Sequence, residues 1–150
     1  MIPCPDQSFP IVKYLLDTNI CIYAMKHHVP VLRQMQSAKQ DGLCVSAIVA
    51  AELAFGVARS AAEHRERNQL SLNRFLGAIA VQPWPAEAVW VYGPMRQSLK
   101  QAGAPIGELD LLIAAHAQVN GLILVTNNTR EFERIEGLQL ENWAQPGTPA

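Results

Sequence analysis

The chain has 150 residues, of which 49% are hydrophobic and 17% charged, with 12 Lys+Arg against 13 Asp+Glu. That length suits one domain with a single core, and that composition excludes a disordered chain. A formal net charge of −1 excludes a protein that grips nucleic acid through overall basicity, so an RNA partner would need a local basic face or a bound cation.

In chain order, residues 1–12 are Pro-rich and aperiodic and read as an extension ahead of the core. They carry neither a basic n-region nor an h-region, so no secretory signal is expected. "YLLDTNI" follows. Tyr14, Leu15 and Leu16 read as a buried strand and Ile20, Tyr23 and Ala24 as helically spaced, which leaves Asp17 where a strand ends and a helix begins. A carboxylate there can cap the helix, bind a ligand or hold a metal. "CIYAMKHHVPVLRQMQSAK" is helical but interrupted by Pro30, giving two short helices or one kinked one, with His27-His28 as a solvated helix end. Cys4, Cys21 and Cys44 are odd in number and lack metal-ligand spacing, which reads as reduced, mostly buried thiols in a cytoplasmic protein.

"GLCVS" is a second strand, and Ser46 is a good N-cap for the largely apolar helix "AIVAAELAFGVARS". Glu52 is the only charge in its apolar stretch. An unpaired buried carboxylate is costly, so Glu52 needs a partner such as Arg59, a metal, or a place in a cleft. "AAEHRERNQLSLNRFLGAI" is amphipathic, with Leu70, Leu72, Phe75 and Leu76 inward. Its neighbourhood concentrates Arg59, Arg65, Arg67 and Arg74, either as a face for RNA backbone or as a solvated exterior paired with Glu63 and Glu66.

"AIAVQPW" reads as a third strand and "AEAVWVYGPMRQSLKQAG" as a helix bent at Gly93-Pro94. In "APIGELDLLIAAHAQVNG", Glu108 reads as loop polarity. Asp110 opens an apolar helix, where an acid suits the positive helix end, and Asn120-Gly121 closes that helix. His116 reads as a core histidine with a hydrogen-bonded ring. "LILVT" is the clearest strand, "NNTREFERI" a short helix and "LQLENW" an edge strand. Glu131 either completes an amide capping box with Asn128 or serves as a functional acid. No apolar run reaches the ~18 residues that span a bilayer, and residues 146–150 read as a tail beyond a domain over 13–145.

Continuously apolar strands alternating with helices argue for an α/β fold with a short parallel sheet flanked by helices, and ligands bind at the carboxyl ends of such strands. The glycines form no phosphate-cradling loop, and no Ser or Cys has the setting of a nucleophile. Several isolated acids at strand ends and helix beginnings would repel one another in one cleft. Hard divalent cations relieve that repulsion and leave positions open for a phosphate, which is a phosphodiesterase arrangement.

"YLLDTNI", "SAIVAAELAFGVARS" and "PIGELDLLIAAHAQVNGLILVTNNTREFERIEGLQLENW", in this order and at these separations, resemble PIN-domain ribonucleases, and most of all the VapC-type toxins of bacterial toxin–antitoxin systems. The resemblance runs from about Lys13 to Trp143. It implies a PIN-like three-layer sandwich and catalytic acids at Asp17, Glu52, Asp110 and Glu131, with Asp17 and Asp110 holding Mg²⁺, for which Mn²⁺ can substitute. Asn127-Asn128 stand where many relatives place an Asp, and Glu131 is the usual substitute. Asn19 and Thr126 match pocket residues that would face substrate, with Arg59 and Arg65 added as RNA contacts by the charge argument above. The implied function is endoribonuclease cleavage of structured RNA, typically tRNA, by a homodimer under control of a VapB-type antitoxin. The alternative is a PIN-like module that binds RNA or protein without catalysis. A haloacid dehalogenase-like phosphatase would need a second Asp where Asn19 stands.

Overall fold

The apolar run Tyr14–Leu16 forms the central strand β1, buried along its whole length. A strand covered on both faces has no polar alternation to show, which is why its sequence is continuously apolar. The computed structural model describes residues 12–145, so the extension expected over 1–12, apart from Val12, and the tail at 146–150 lie outside the described residues. The remaining strands are β2 (Leu43–Ser46), β3 (Ala80–Gln82), β4 (Ile123–Val125) and β5 (Leu140–Glu141). All pairings are parallel in the order β3-β2-β1-β4-β5. Helices α1 (Thr18–Met25), α2 (Val29–Ala38), α3 (Ala47–Ala58), α4 (Ala62–Gly77), α5 (Val89–Gln101), α6 (Glu108–Val119) and α7 (Thr129–Phe132) flank the sheet. The core gathers Leu15, Leu16, Val45, Leu124 and Val125 with Phe132, Leu72 and Trp143, and Trp143 meets Tyr14 edge to face at 5.1 Å.

From β1 the chain winds out through β2 to β3, then returns to lay β4 and β5 on the other side of β1. The carboxyl ends of β1 and β4 therefore lie side by side where the winding reverses, the usual place for a ligand crevice in such a sheet.

Several local expectations are corrected. The break between α1 and α2 falls at Lys26–His28, with His27 at φ 60°, and Pro30 sits harmlessly in the first turn of α2, where its missing N–H costs nothing. His27 is exposed, but His28 is half-buried against the Tyr23 ring at 4.7 Å. Helix α5 spans Val89–Gln101 with Pro94 inside it, as the sequence places it. Leu70 is 56% exposed, because two residues' separation from buried Leu72 turns it to the opposite side of α4. Glu108 begins α6 and pairs with Arg96 at 2.9 Å. His116 is buried as expected, yet neither ring nitrogen has a hydrogen-bond partner, and burial lowers its pKa to about 4. Cys21 and Cys44 are free and buried, and Cys4 lies outside the described residues.

Ser46 caps α3 as the sequence predicts, accepting from Ile48 N at 3.2 Å, and is itself fully buried. Ser46→Ala should therefore cost about 1 kcal/mol, read from urea unfolding, because it leaves a helix-end N–H without its acceptor.

Candidate active site

Asp17 directly follows β1 and caps α1, and only 3% of it is exposed. Its Oδ1 accepts from Thr18 N at 2.8 Å, while Oδ2 accepts from the Thr126 hydroxyl at 2.7 Å and from Asn19 Nδ2 at 3.2 Å. The Thr126 oxygen in turn accepts from Asn128 N at 3.0 Å and Asn19 Nδ2 at 3.4 Å. With both lone pairs engaged, the hydroxyl has only its proton to offer, and that proton points at Asp17. Asn19 completes the lock, its Oδ1 accepting from Asn127 N at 3.0 Å. The capping and site readings of Asp17 thus coexist, one on each oxygen.

The other three acids lie within electrostatic reach of it or act alongside it. The Asp17 pKa is raised by burial, against the opposing pull of its three hydrogen bonds, and the charge of Glu131 raises it further. The Glu52 pKa is raised by burial first and then by Asp17, with the Thr18 hydroxyl lowering it. That hydroxyl lies close to the Glu52 carboxylate, but neither Thr18 Oγ1 nor Glu52 Oε1 has a partner in good hydrogen-bond geometry. Asp110 is pushed up to about 6, by burial first, then by Asp17, Glu131 and Glu52. Every contribution to Asp110 opposes its charge, and none is the stabilising bond that a purely helix-starting acid would make.

The ordinary alternatives fare unevenly. Glu52 forms no ion pair with Arg59, whose guanidinium instead lies over the Phe55 ring at 5.4 Å. The capping box at α7 is not made, since the Asn128 side chain caps nothing and its amide donates to Glu131 Oε2. Arg65 bonds the Ser60 carbonyl at 2.8 Å and Arg67 bonds His64, while Glu63 pairs with His64 and not with an arginine. An apolar groove of about 770 Å³ opens beside Glu52, lined among others by Thr18, Ile22, Phe55, Arg59 and Leu109. Arg59 therefore shares a surface with Glu52, whereas Arg65 stands on the exposed side of α4 outside that lining.

The residues fit a hard divalent cation. The donors are carboxylate oxygens that repel one another, and Glu52 Oε1 is buried without a hydrogen-bond partner. Among the described residues no three acidic, His or Cys side chains are close enough to ligate one ion together. A cation here would be held by one or two carboxylates and keep its own waters, as Mg²⁺ does. Thr18, Tyr23 and Asn142 are contributors that sequence reasoning missed. Asn127 Nδ2 donates to Tyr23 OH and Asn142 Nδ2 to Asn127 Oδ1, both at 3.3 Å, which ties the site's rim across α1, β4 and β5. Hydrophobic periodicity puts Tyr23 on a helix but marks none of the three for the rim, since Tyr23 and Asn142 meet Asn127 from positions far away in the chain.

A family model for the PIN domain matches residues 14–138. The chain is 40% identical over 134 residues to the tRNA(fMet)-specific endonuclease VapC of Shigella flexneri, covering 89% of this chain and 100% of that protein. It is 44% identical over 132 residues to ribonuclease VapC2 of Rickettsia felis, covering 87% of this chain and 97% of that one. The crystal structure of VapBC2 from Rickettsia felis, bound to a DNA fragment from its promoter, contains a similar chain with a TM-score of 0.83 and 42% identity, covering 88% of this chain and 99% of that one.

The raised Asp110 pKa has a sign that can be measured. The folded protein keeps this proton between pH 3.8 and about 6 while the unfolded chain has lost it, so without a cation stability falls as pH rises through that window. In chelator at pH 7, Asp110→Asn should melt no lower than wild type, with any advantage vanishing below pH 3.8. A marked fall in melting temperature would return Asp110 to a structural helix-starting role.

Proposed function

The chain belongs to the PIN-domain family and is a nuclease of the VapC type, and from that premise we propose that it is a Mg²⁺-dependent endoribonuclease toxin acting on structured RNA, with tRNA as the substrate class. The observation that carries the proposal is the convergence of Asp17, Glu52, Asp110 and Glu131: Glu131 acts on Asp17, Asp17 on Glu52, and all three on Asp110. Asp17 and Asp110 would hold the cation, and Mn²⁺ could replace Mg²⁺ because both accept hard oxygen donors. When bound, such a cation lowers the pKa of attacking water and offsets charge at phosphorus. Asp17 is kept as an oriented acceptor by Thr126, Asn19 and the Thr18 N–H. Glu52 and Glu131 add negative charge that favours cation uptake, and Glu131 is half-exposed and able to meet solvent or substrate. Asn19 and Thr126 hold the floor on which a phosphate would sit.

The tRNA reading is supported by similarity to a protein named as a tRNA(fMet)-specific endonuclease, and the antitoxin reading by similarity to a chain in a VapBC complex. A VapB-type antitoxin would find an apolar surface adjoining Glu52 in the groove beside it. We assign the domain to residues 13–145, working as a cytoplasmic homodimer. No helix among the described residues is long and apolar enough to cross a membrane.

Calorimetric titration with Mn²⁺ and cleavage of a tRNA pool test the proposal. Wild type should bind and cleave, while Asp17→Ala should lose metal affinity and cut turnover by about 100-fold or more, the scale of removing one charge-stabilising group from a reacting centre. Unchanged Mn²⁺ affinity in both Asp17→Ala and Asp110→Ala would remove the site.

The arginines generate a separate expectation. Arg59 and Arg65 have no carboxylate partner among the described ion pairs and remain available to RNA phosphates. The Arg59→Ala, Arg65→Ala double variant should weaken RNA binding across sequences and lower the salt slope by about 0.7–0.9 per lost contact. An unaltered slope would mean that RNA enters by another face.

A further inference from the structure

Glu131 sits on α7, a helix of only four residues, and its side chain is half-exposed. A glutamate so placed has several rotamers open to it, which aim its carboxylate in different directions. The Asn128 amide restrains it by donating to Glu131 Oε2. Facing a carboxylate, the amide must present its NH₂ and not its oxygen, so its orientation is unambiguous. Asn128 is itself tethered, its N–H bonded to Thr126 Oγ1 at 3.0 Å and its carbonyl accepting from Phe132 N at 3.3 Å. Its side chain is spent on no helix cap. A continuous line of hydrogen bonds therefore runs from Asp17 through Thr126 and Asn128 to Glu131.

The chemistry of the donor matters. A lysine or arginine at this position would hold Glu131 equally well but would cancel the charge that attracts a cation. An aspartate would repel it. A neutral amide orients the carboxylate without bringing an opposing charge.

We propose that Asn128 is a positioning residue: its amide fixes Glu131 beside Asp17 and Asp110 as the fourth acid of the cation site, an assignment that rests on the nuclease reading above. Thr126 is the joint through which the same line reaches Asp17.

The test compares wild type with Asn128→Ala, Glu131→Gln and the exchange Asn128→Asp/Glu131→Gln. Each is assayed by Mn²⁺ calorimetry without RNA, by kcat and KM on tRNA, and by thermal melting. Asn128→Ala should lower Mn²⁺ affinity and kcat by about 10-fold, the range for groups that orient metal ligands, while KM changes little. Glu131→Gln should match or exceed that loss. The exchange rebuilds one carboxylate held by one amide, with the roles reversed, and should recover most of the Mn²⁺ affinity. A purely structural Asn128 predicts instead a lower melting temperature with no recovery in the exchange, and that result overturns the inference. So does an Asn128→Ala protein that binds Mn²⁺ and cleaves as wild type does; if Asp17→Ala and Asp110→Ala still abolish both properties, the nuclease reading stands without Asn128. A wild-type protein that takes up no Mn²⁺ and leaves RNA intact overturns the nuclease reading and this inference together.

Discussion

The hydrogen bond from the Thr126 hydroxyl to Asp17, 2.7 Å across the junction of β1 and β4, is the contact on which the geometry of the site depends. It joins two segments 109 residues apart, and it exists only because the sheet places β4 beside β1. Backbone bonds brace it on both sides, from Asp17 N to the Val125 carbonyl and from Thr126 N to the Glu141 carbonyl, each 2.9 Å. Beneath it Leu15, Leu16, Leu124 and Val125 are fully buried, so the strand ends cannot drift apart without opening the core.

On this rigid floor the protein gathers charges that oppose one another. Burial and mutual repulsion both raise the Asp17, Glu52 and Asp110 pKa values, so the metal-free site stores unfavourable electrostatic energy. A hydrophobic core drawn from β1, β2, β4 and β5 and from the helices around them supports that strain. Such a division is expected where local rules are broken for chemistry and the rest of the structure compensates. The amides of Asn19 and Asn128 have a particular place here, since they fix carboxylates without neutralising them.

The surface around the acids is equally uneven. On one side lies an apolar groove with Phe55 at 64% exposure and Leu109 at 49%, a feature that monomeric soluble proteins seldom leave without a partner. Arg59 borders that groove, and α4 exposes further arginines that no carboxylate claims among the described ion pairs. A net charge of −1 is therefore an average over strongly different faces.

The sequence by itself determined the class of fold and singled out acids that the structure brings within electrostatic reach of one another. Continuous apolar strands such as Tyr14–Leu16 need cover on both faces, and that requirement is local enough to read from composition. Asp17 at a strand end, Glu52 alone in an apolar helix and Asp110 opening another were conspicuous because isolated charges in apolar segments are costly. Local rules also read Ser46 correctly, since capping depends on neighbours a few residues away. Those rules failed where a long-range partner intervened. Asn128 and Glu131 have capping-box spacing, yet Thr126 draws the Asn128 N–H into the site and the amide turns to the carboxylate. Arg59 was the nearest plausible partner for Glu52 in the chain, but Phe55 holds it in space. Only the tertiary structure decided which oxygen of Asp17 serves the helix and which serves the site, and that Tyr23, Asn127 and Asn142 share one rim. The reason is physical: capping and burial are set within a few residues of chain, whereas hydrogen bonds across a sheet are set by which strands lie adjacent.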